Sequence, residues 1–261
     1  MSIKKAGLLA LASLLAASFS AGAKTVLITG ANSGIGLEFA RAYAAKGWDV
    51  IATHRRDQTP ESLADLAREY PNVVPEKMDI TDHAQVDALA ARLKGRPIDL
   101  VINNAGLLSE NVERQILGNI DYDLFERYLR TNTLGAVKVT EAFTENLVAA
   151  KGKVMAMSTD MASITVDDPR RGFYFYFTSK AALNMVMKRI AKELADRGVV
   201  TGLIHPGFVR ARGAPRVDPP PGWPEMVDMD VTIASMIELI DSWQLADTGQ
   251  FRKYDGSTMP W

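Results

Sequence analysis

Cysteine is absent from this 261-residue chain. Its absence excludes disulfides, thiolate catalysis and cysteine-ligated zinc, and it leaves the redox compartment open. Histidine is scarce: His54, His83 and His205 are the full set, and none is spaced for a metal site. Neither sign of charge dominates, because 30 Lys and Arg face 31 Asp and Glu for a formal net charge of −1. A polyanionic partner such as nucleic acid is therefore not expected. No internal repeat and no dividing linker interrupts the chain. What remains is ordinary globular composition, 47% hydrophobic and 23% charged. The length suits one large α/β domain with a full core.

The first 23 residues differ from the rest. Lys4 and Lys5 give a positive start, residues 7–19 form a Leu/Ala-rich run, and Ala21-Gly22-Ala23 is a small-x-small cleavage signature. This layout predicts a secretory signal peptide or N-terminal anchor over residues 1–23, ahead of a domain over residues 24–261. Cleavage implies a periplasmic or secreted protein. The alternatives are a cytoplasmic protein and a membrane-anchored one, with membrane contact only if the segment is retained.

From residue 24 onward, short β-rich runs alternate with helical periodicity. Strands are predicted at 24–29, 49–53, 73–78, 100–103, 153–157 and 199–204. Helices are predicted at 35–46, 61–69, 82–93, 123–150 and 176–197. This alternation means α/β: a single doubly wound Rossmann-type domain, its parallel sheet flanked by helices on both faces. Ligands in such sheets sit beyond the carboxyl ends of the strands. Polar clusters fall at those ends: Gly30–Gly36, His54-Arg55, Asp79, Asn103–Gly106, Ser158-Thr159 and Pro206-Gly207. The Pro/Gly-rich stretch 207–224 is expected to form a loop over the cleft, as a lid or as plain surface.

Two motifs carry chemistry. Thr29-Gly30-Ala31-Asn32-Ser33-Gly34-Ile35-Gly36 reads as a strand-to-helix turn whose amides and helix N-terminus cradle a pyrophosphate. Tyr176 and Lys180 stand at i and i+4, so the phenol and the ammonium share one helix face. A cation beside a phenol favours the phenolate, which lets the tyrosine exchange a proton near neutral pH. Together they point to a hydride-transfer enzyme. After the second strand, an acidic residue would bind the ribose hydroxyls of NAD. Here His54 is followed by Arg55 and Arg56, and a guanidinium pairs with a 2′-phosphate. NADP(H) is the preferred cofactor, with NAD(H) the alternative.

These residues resemble the short-chain dehydrogenase/reductase family. The glycine turn, Asn103-Asn104-Ala105-Gly106, Asn132, the Ser158-Thr159 pair, Tyr176/Lys180 and Pro206-Gly207 come in that family's order. Residues 249–256 and the ending Pro260-Trp261 are similar to the C-factor and sniffer-like carbonyl reductase group. The resemblance implies that Asp79 accepts from the adenine amino group and that Ile80 packs on the ring. It implies that Asn103 steadies the sheet, while Asn104, Ala105 and Gly106 border the cofactor. Pro206, Gly207 and Val209 would face the nicotinamide. Asn132 would hold a water that relays protons to Lys180, which also bonds the nicotinamide ribose.

The family usually carries Ser-Ser after the fifth strand. Here Thr159 occupies the substrate-orienting slot, with Ser158 and then Ser163 as substitutes; a threonine methyl narrows such a site. Where the family often has threonine, this chain has Ala211, which removes one cofactor contact. His205 is read as structural, Tyr174 as a cleft-wall or core ring. Phe173, Phe175 and Phe177 suggest an apolar small-molecule carbonyl or alcohol as substrate. The predicted helices 123–150 and 176–197 resemble the family's dimer-forming pair, so a homo-oligomer stays open. The competing expectation is a non-catalytic nucleotide-binding sensor or secreted signalling protein on the same fold.

Overall fold

Short apolar runs set the architecture. Thr25–Ile28 (β1) is buried along its whole length, as a strand covered on both faces must be. Val26 and Ile28 pack on one side of the sheet and Leu27 on the other, following the two-residue side-chain period. Val50 and Ile51, Leu100 and Val101, and Val154 and Met155 divide between the two faces in the same way.

A computed structural model describes residues 22–108, 111–166, 172–214 and 224–261. After β1 come α1 (Gly34–Ala45), β2 (Asp49–His54), α2 (Glu61–Glu69), β3 (Val73–Lys77), α3 (His83–Arg92) and β4 (Leu100–Asn103). The middle of the chain holds α4 (Tyr122–Leu129), α5 (Ala136–Ala142), α6 (Thr144–Ala150), β5 (Lys153–Met157) and α7 (Tyr174–Ala195). It closes with β6 (Val200–His205), β7 (Phe208–Arg210), β8 (Met226–Asp228), α8 (Met229–Ser242) and β9 (Gln250–Lys253).

Seven parallel strands run in the order β3-β2-β1-β4-β5-β6-β9. The order reverses between β1 and β4, which opens the crevice where such sheets bind ligands. Phe39, Tyr43, Leu63 and Met236 bring α1, α2 and α8 onto one face. Val86, Val139, Leu183 and Met187 bring α3, α5 and α7 onto the other. The doubly wound expectation is met. Helix α2 and strands β4 and β5 lie at their predicted positions.

The single helix predicted over 123–150 is a different object. A π-helical turn, Arg130–Gly135, separates α4 from α5, and a break at Phe143 separates α5 from α6. Side chains explain both. Asn132 turns inward to bond Leu107, and Gly135 admits Ile80, whose Cδ1 would lie 2.7 Å from an added Cβ. Thr140 and Thr144 each donate to the carbonyl four residues back, at 2.8 Å, a habit that bends helices. Helix α7 begins at Tyr174, earlier than predicted, with Phe173 before it at φ +58.

The expected leader falls on residues 1–21, outside the described residues, with Gly22 and Ala23 just inside. Residues 215–223 of the expected lid also lie outside them. Its near end is fixed: Arg212 donates to Glu38 at 3.0 and 2.8 Å, and β7 pairs with β8. Among the described residues, no helix is long and apolar enough to cross a membrane.

Candidate active site

The crevice at the switch point is a cleft of about 620 Å³. Its floor is the β1–α1 turn. Gly30 has φ +64, a conformation glycine adopts at no steric cost, and a Cβ there would lie 2.9 Å from the Ala105 Cα. A Cβ on Gly36 would collide with the Gly30 carbonyl oxygen and sit 2.5 Å from Asn104 Nδ2. Two strand ends are thus pressed together with no room for side chains.

Hydrogen bonds lock this contact. Thr29 Oγ1 accepts from the Asn104 and Ala105 amides, both at 3.0 Å. Asn104 Nδ2 donates to the Thr29 and Gly30 carbonyls at 2.9 and 3.2 Å. Thr29, Gly36 and Asn104 were all expected to touch a cofactor. Of these, Asn104 lines the cleft and also clamps its floor, whereas Thr29 and Gly36 build it from beneath. Asn103 steadies the sheet through Thr140 Oγ1 at 3.0 Å.

Helix α1 then points its N-terminus at the cleft. Ser33 is the N-cap, yet its hydroxyl makes no capping bond, and no acidic residue stands in the first turn. The first amides and the positive end of the helix dipole are left for an anion. Gly30, Asn32, Ser33, Gly34 and Ile35 line this end, opposite Asp79, Ile80, Ala105 and Gly106. Asp79 Oδ1 accepts from the Thr81 amide and hydroxyl at 2.9 and 2.8 Å, while Asp82 caps α3.

His54 does not reach the cleft. It is buried at the end of β2, and burial holds its imidazole below the ordinary range and therefore uncharged at neutral pH. Arg55 and Arg56 are the cleft-lining pair. Arg56, Thr81, Leu107, Leu108, Thr131 and Met229 line the cleft as well. Arg56 stands beside Arg55 in the sequence reading, and adjacency to Ile80, Gly106 and Asn132 could have flagged the next four. Nothing in the sequence flags Met229, which arrives from α8.

A second cavity, about 390 Å³, adjoins the first, and Ile35, Leu108 and Val209 line both. Tyr176, Ser158, Thr159, Pro206 and Gly207 line it. Lys180 lies beneath: it is buried, donates to the Met157 carbonyl at 2.7 Å, and sits 6.0 Å from the centroid of the Tyr176 ring. Burial lowers the Lys180 ammonium from its usual 10.5 to about 8.

Asn132 is buried rather than an exposed helical residue. Its side chain accepts from the Leu107 amide at 2.7 Å and donates to the Leu107 carbonyl and Ser179 Oγ, both at 2.9 Å. Its Oδ1 and the Lys180 Nζ both lie beside Gly106. The π turn around it widens the helix, a distortion frequent at functional sites.

The hydroxyls separate clearly. Ser158 Oγ donates to Asn184 Oδ1 at 2.5 Å, so its proton is already engaged. Thr159 Oγ1 donates to Asp160 Oδ1 at 2.9 Å, so its proton must turn to reach a substrate oxygen. Ser163 donates to the Trp261 main-chain oxygen instead and does not line the cavity. The aromatic expectations change in part, while His205 keeps its expected place at the end of β6. His205 lines the cavity wall, with Nε2 4.0 Å from Asp160 Oδ1. Tyr174 is 42% exposed, because an earlier start to α7 turns it outward. Of the three phenylalanines, Phe173 lines the cavity, Phe175 packs against Phe125 at 4.7 Å, and Phe177 stacks on Phe173 at 6.2 Å.

A doubly wound sheet with an uncapped helix facing its switch point, joined to a cavity with Tyr176 above a buried Lys180, defines a dinucleotide-dependent oxidoreductase. The family description "short chain dehydrogenase" matches residues 24–219, and the chain belongs to that family. It is 34% identical over 239 residues to 1-hydroxy-2-glutathionyl-2-methyl-3-butene dehydrogenase of Rhodococcus sp. (strain AD45), covering 91% of this chain and 99% of that one. It is 32% identical over 176 residues to the C-signal of Myxococcus xanthus, covering 67% of this chain and 99% of that protein. The solved structure of an NADPH-bound carbonyl reductase from chicken fatty liver superposes with a TM-score of 0.80 at 28% identity, covering 92% and 99% of the two chains.

Proposed function

We propose that the protein reduces an apolar aldehyde or ketone with NADPH, using Tyr176 as proton donor. One observation carries this reading: Tyr176 and the Thr159 hydroxyl line a cavity that opens onto the dinucleotide cleft through Ile35, Leu108 and Val209. The carbonyl reductase named above is NADPH-bound, and Arg55 and Arg56 supply two guanidinium groups for a 2′-phosphate.

The cleft fits the dinucleotide: its uncapped α1 terminus suits a pyrophosphate, and Gly30 and Gly36 let the turn pack directly against Ala105 and Asn104 to form the floor. When bound there, NADPH supplies the hydride. Thr159 Oγ1 turns from Asp160 to hold the substrate oxygen. Tyr176 donates its phenolic proton to that oxygen as negative charge develops on it. The Lys180 cation stabilises the resulting phenolate. Asn132 holds the 106–108 loop and the start of the relay that reprotonates Tyr176 through Lys180. Phe173, Met161 and Phe208 give the cavity its apolar walls.

The test is NADPH oxidation across a panel of aldehydes, ketones and quinones, repeated with Tyr176→Phe. The variant should lose about 10²–10⁴-fold in kcat while binding NADPH normally. Near-normal turnover in Tyr176→Phe would refute the assignment. NADPH binding without turnover of any panel member would favour the sensor reading.

A further inference from the structure

We propose that Trp261 is a positioning residue for the substrate-side loop, residues 159–165. Its kinetic consequence rests on the carbonyl-reduction reading; its structural consequence does not.

Three donors converge on the Trp261 main-chain oxygen: the Ile164 amide at 3.2 Å, Ser163 Oγ at 3.0 Å and Thr165 Oγ1 at 3.1 Å. The indole is held separately. Lys188 Nζ lies 3.8 Å from a ring centroid and Phe251 5.7 Å away. The segment before it is tied to the sheet edge, where the Met259 amide donates to the Phe251 carbonyl at 2.9 Å and Thr258 bridges Arg252. Trp261 therefore ends an arm anchored on β9 and α7.

Within the loop it grips, Thr159 and Ala162 are buried and the 160–162 turn packs on α7, but residues 163–165 lack such cover. Ile164 is 88% exposed, and Ser163 Oγ accepts from the Thr165 amide at 3.3 Å. Few buried apolar contacts mark a segment that opens readily. Yet this loop places Thr159, Asp160 and Met161 in the substrate cavity. The connection between grip and cavity is short. The Ser163 amide donates to the Asp160 carbonyl at 2.9 Å, the Ala162 amide to the Thr159 carbonyl at 3.1 Å, and the Met161 amide to Asp160 Oδ1 at 2.9 Å. Slack at Trp261 passes through these turns to the hydroxyl that must meet a substrate oxygen.

The experiment compares four full-length proteins: wild type, Trp261→Ala, Trp261→Phe and the double variant Ser163→Ala/Thr165→Val. Trp261→Ala and the double variant should raise KM for the carbonyl substrate about fivefold or more, with KM for NADPH within about twofold. Trp261→Phe should restore most of the loss. Hydrogen exchange should quicken in peptides covering 159–165 and stay unchanged over 24–36. Unchanged exchange at 159–165 in both variants overturns the proposal. So does a parallel rise in exchange over 24–36, which would mean general loosening. If wild type reduces no carbonyl, the catalytic reading fails and exchange alone decides the anchor.

Discussion

The cofactor floor and the substrate wall are built by opposite means. The floor joins β1 to β4 by backbone contact, with glycines where any side chain would intrude and Thr29 and Asn104 bonding both strands. The wall joins the segments after β5 and β6 to the start of α7 mostly through side chains, and the Ser158 and Thr159 hydroxyls already have partners. A backbone-built surface tolerates almost no change and binds a ligand that many enzymes share. A wall of side chains can vary without disturbing the sheet, which is how one fold serves many substrates.

Gly36→Ala attacks the floor and should have the largest effect. Its Cβ meets a backbone carbonyl and a fixed amide, neither of which can yield cheaply. We expect a loss of about 1–3 kcal/mol in stability from overpacking and at least tenfold weaker NADPH binding, read by thermal unfolding and fluorescence titration. Retained binding would show the floor to be as adaptable as the wall.

Lys180→Met separates stability from activity where the two regions meet. In the folded state the lysine titrates at about 8 rather than 10.5, so its charged form is penalised by roughly 3 kcal/mol. A depressed lysine pKa costs stability in full below about pH 8, and the cost fades as pH rises toward 10.5. The variant should therefore melt above wild type at pH 7, with the gap closing toward pH 10.5, and should lose nearly all turnover. A variant less stable at pH 7 would contradict the burial argument. In the wild-type free enzyme, kcat/KM should decline above about pH 8 as the cation is lost.

Arg55→Ala/Arg56→Ala should raise KM for NADPH about tenfold, as expected for losing a charge-assisted pair at an open site, and leave KM for NADH nearly unchanged. Equal losses for both cofactors would move the phosphate contact elsewhere. The smallest effect belongs to the wall. Thr159→Val should lower kcat/KM by about five- to tenfold, the worth of one hydrogen bond, and Ser158→Ala by less. The reverse order would make Ser158 the orienting hydroxyl despite its bond to Asn184.

The alternation of β-rich and helical runs was enough to read the sheet, because a strand buried on both faces must be apolar throughout. Glu61–Glu69, Leu100–Asn103 and Lys153–Met157 were legible to the residue. The helix over 123–150 was not, because its periodicity continues through the π turn. The distortion comes from Asn132 bonding Leu107, a residue far away in sequence. Tyr174 was misread because α7 starts two residues earlier than its periodicity suggests, which places that ring on an exposed face of the first turn.

Sequence alone determined the doubly wound class, the glycine turn between β1 and α1 and the i, i+4 relation of Tyr176 to Lys180, because these depend on local geometry with a fixed period. Only tertiary structure decided that Ser163 serves Trp261, that Asp160 and His205 enter the substrate cavity, and that Lys180 is stripped of water. Those facts arise where strands and tails distant in sequence converge, and no spacing along the chain encodes how closely they approach.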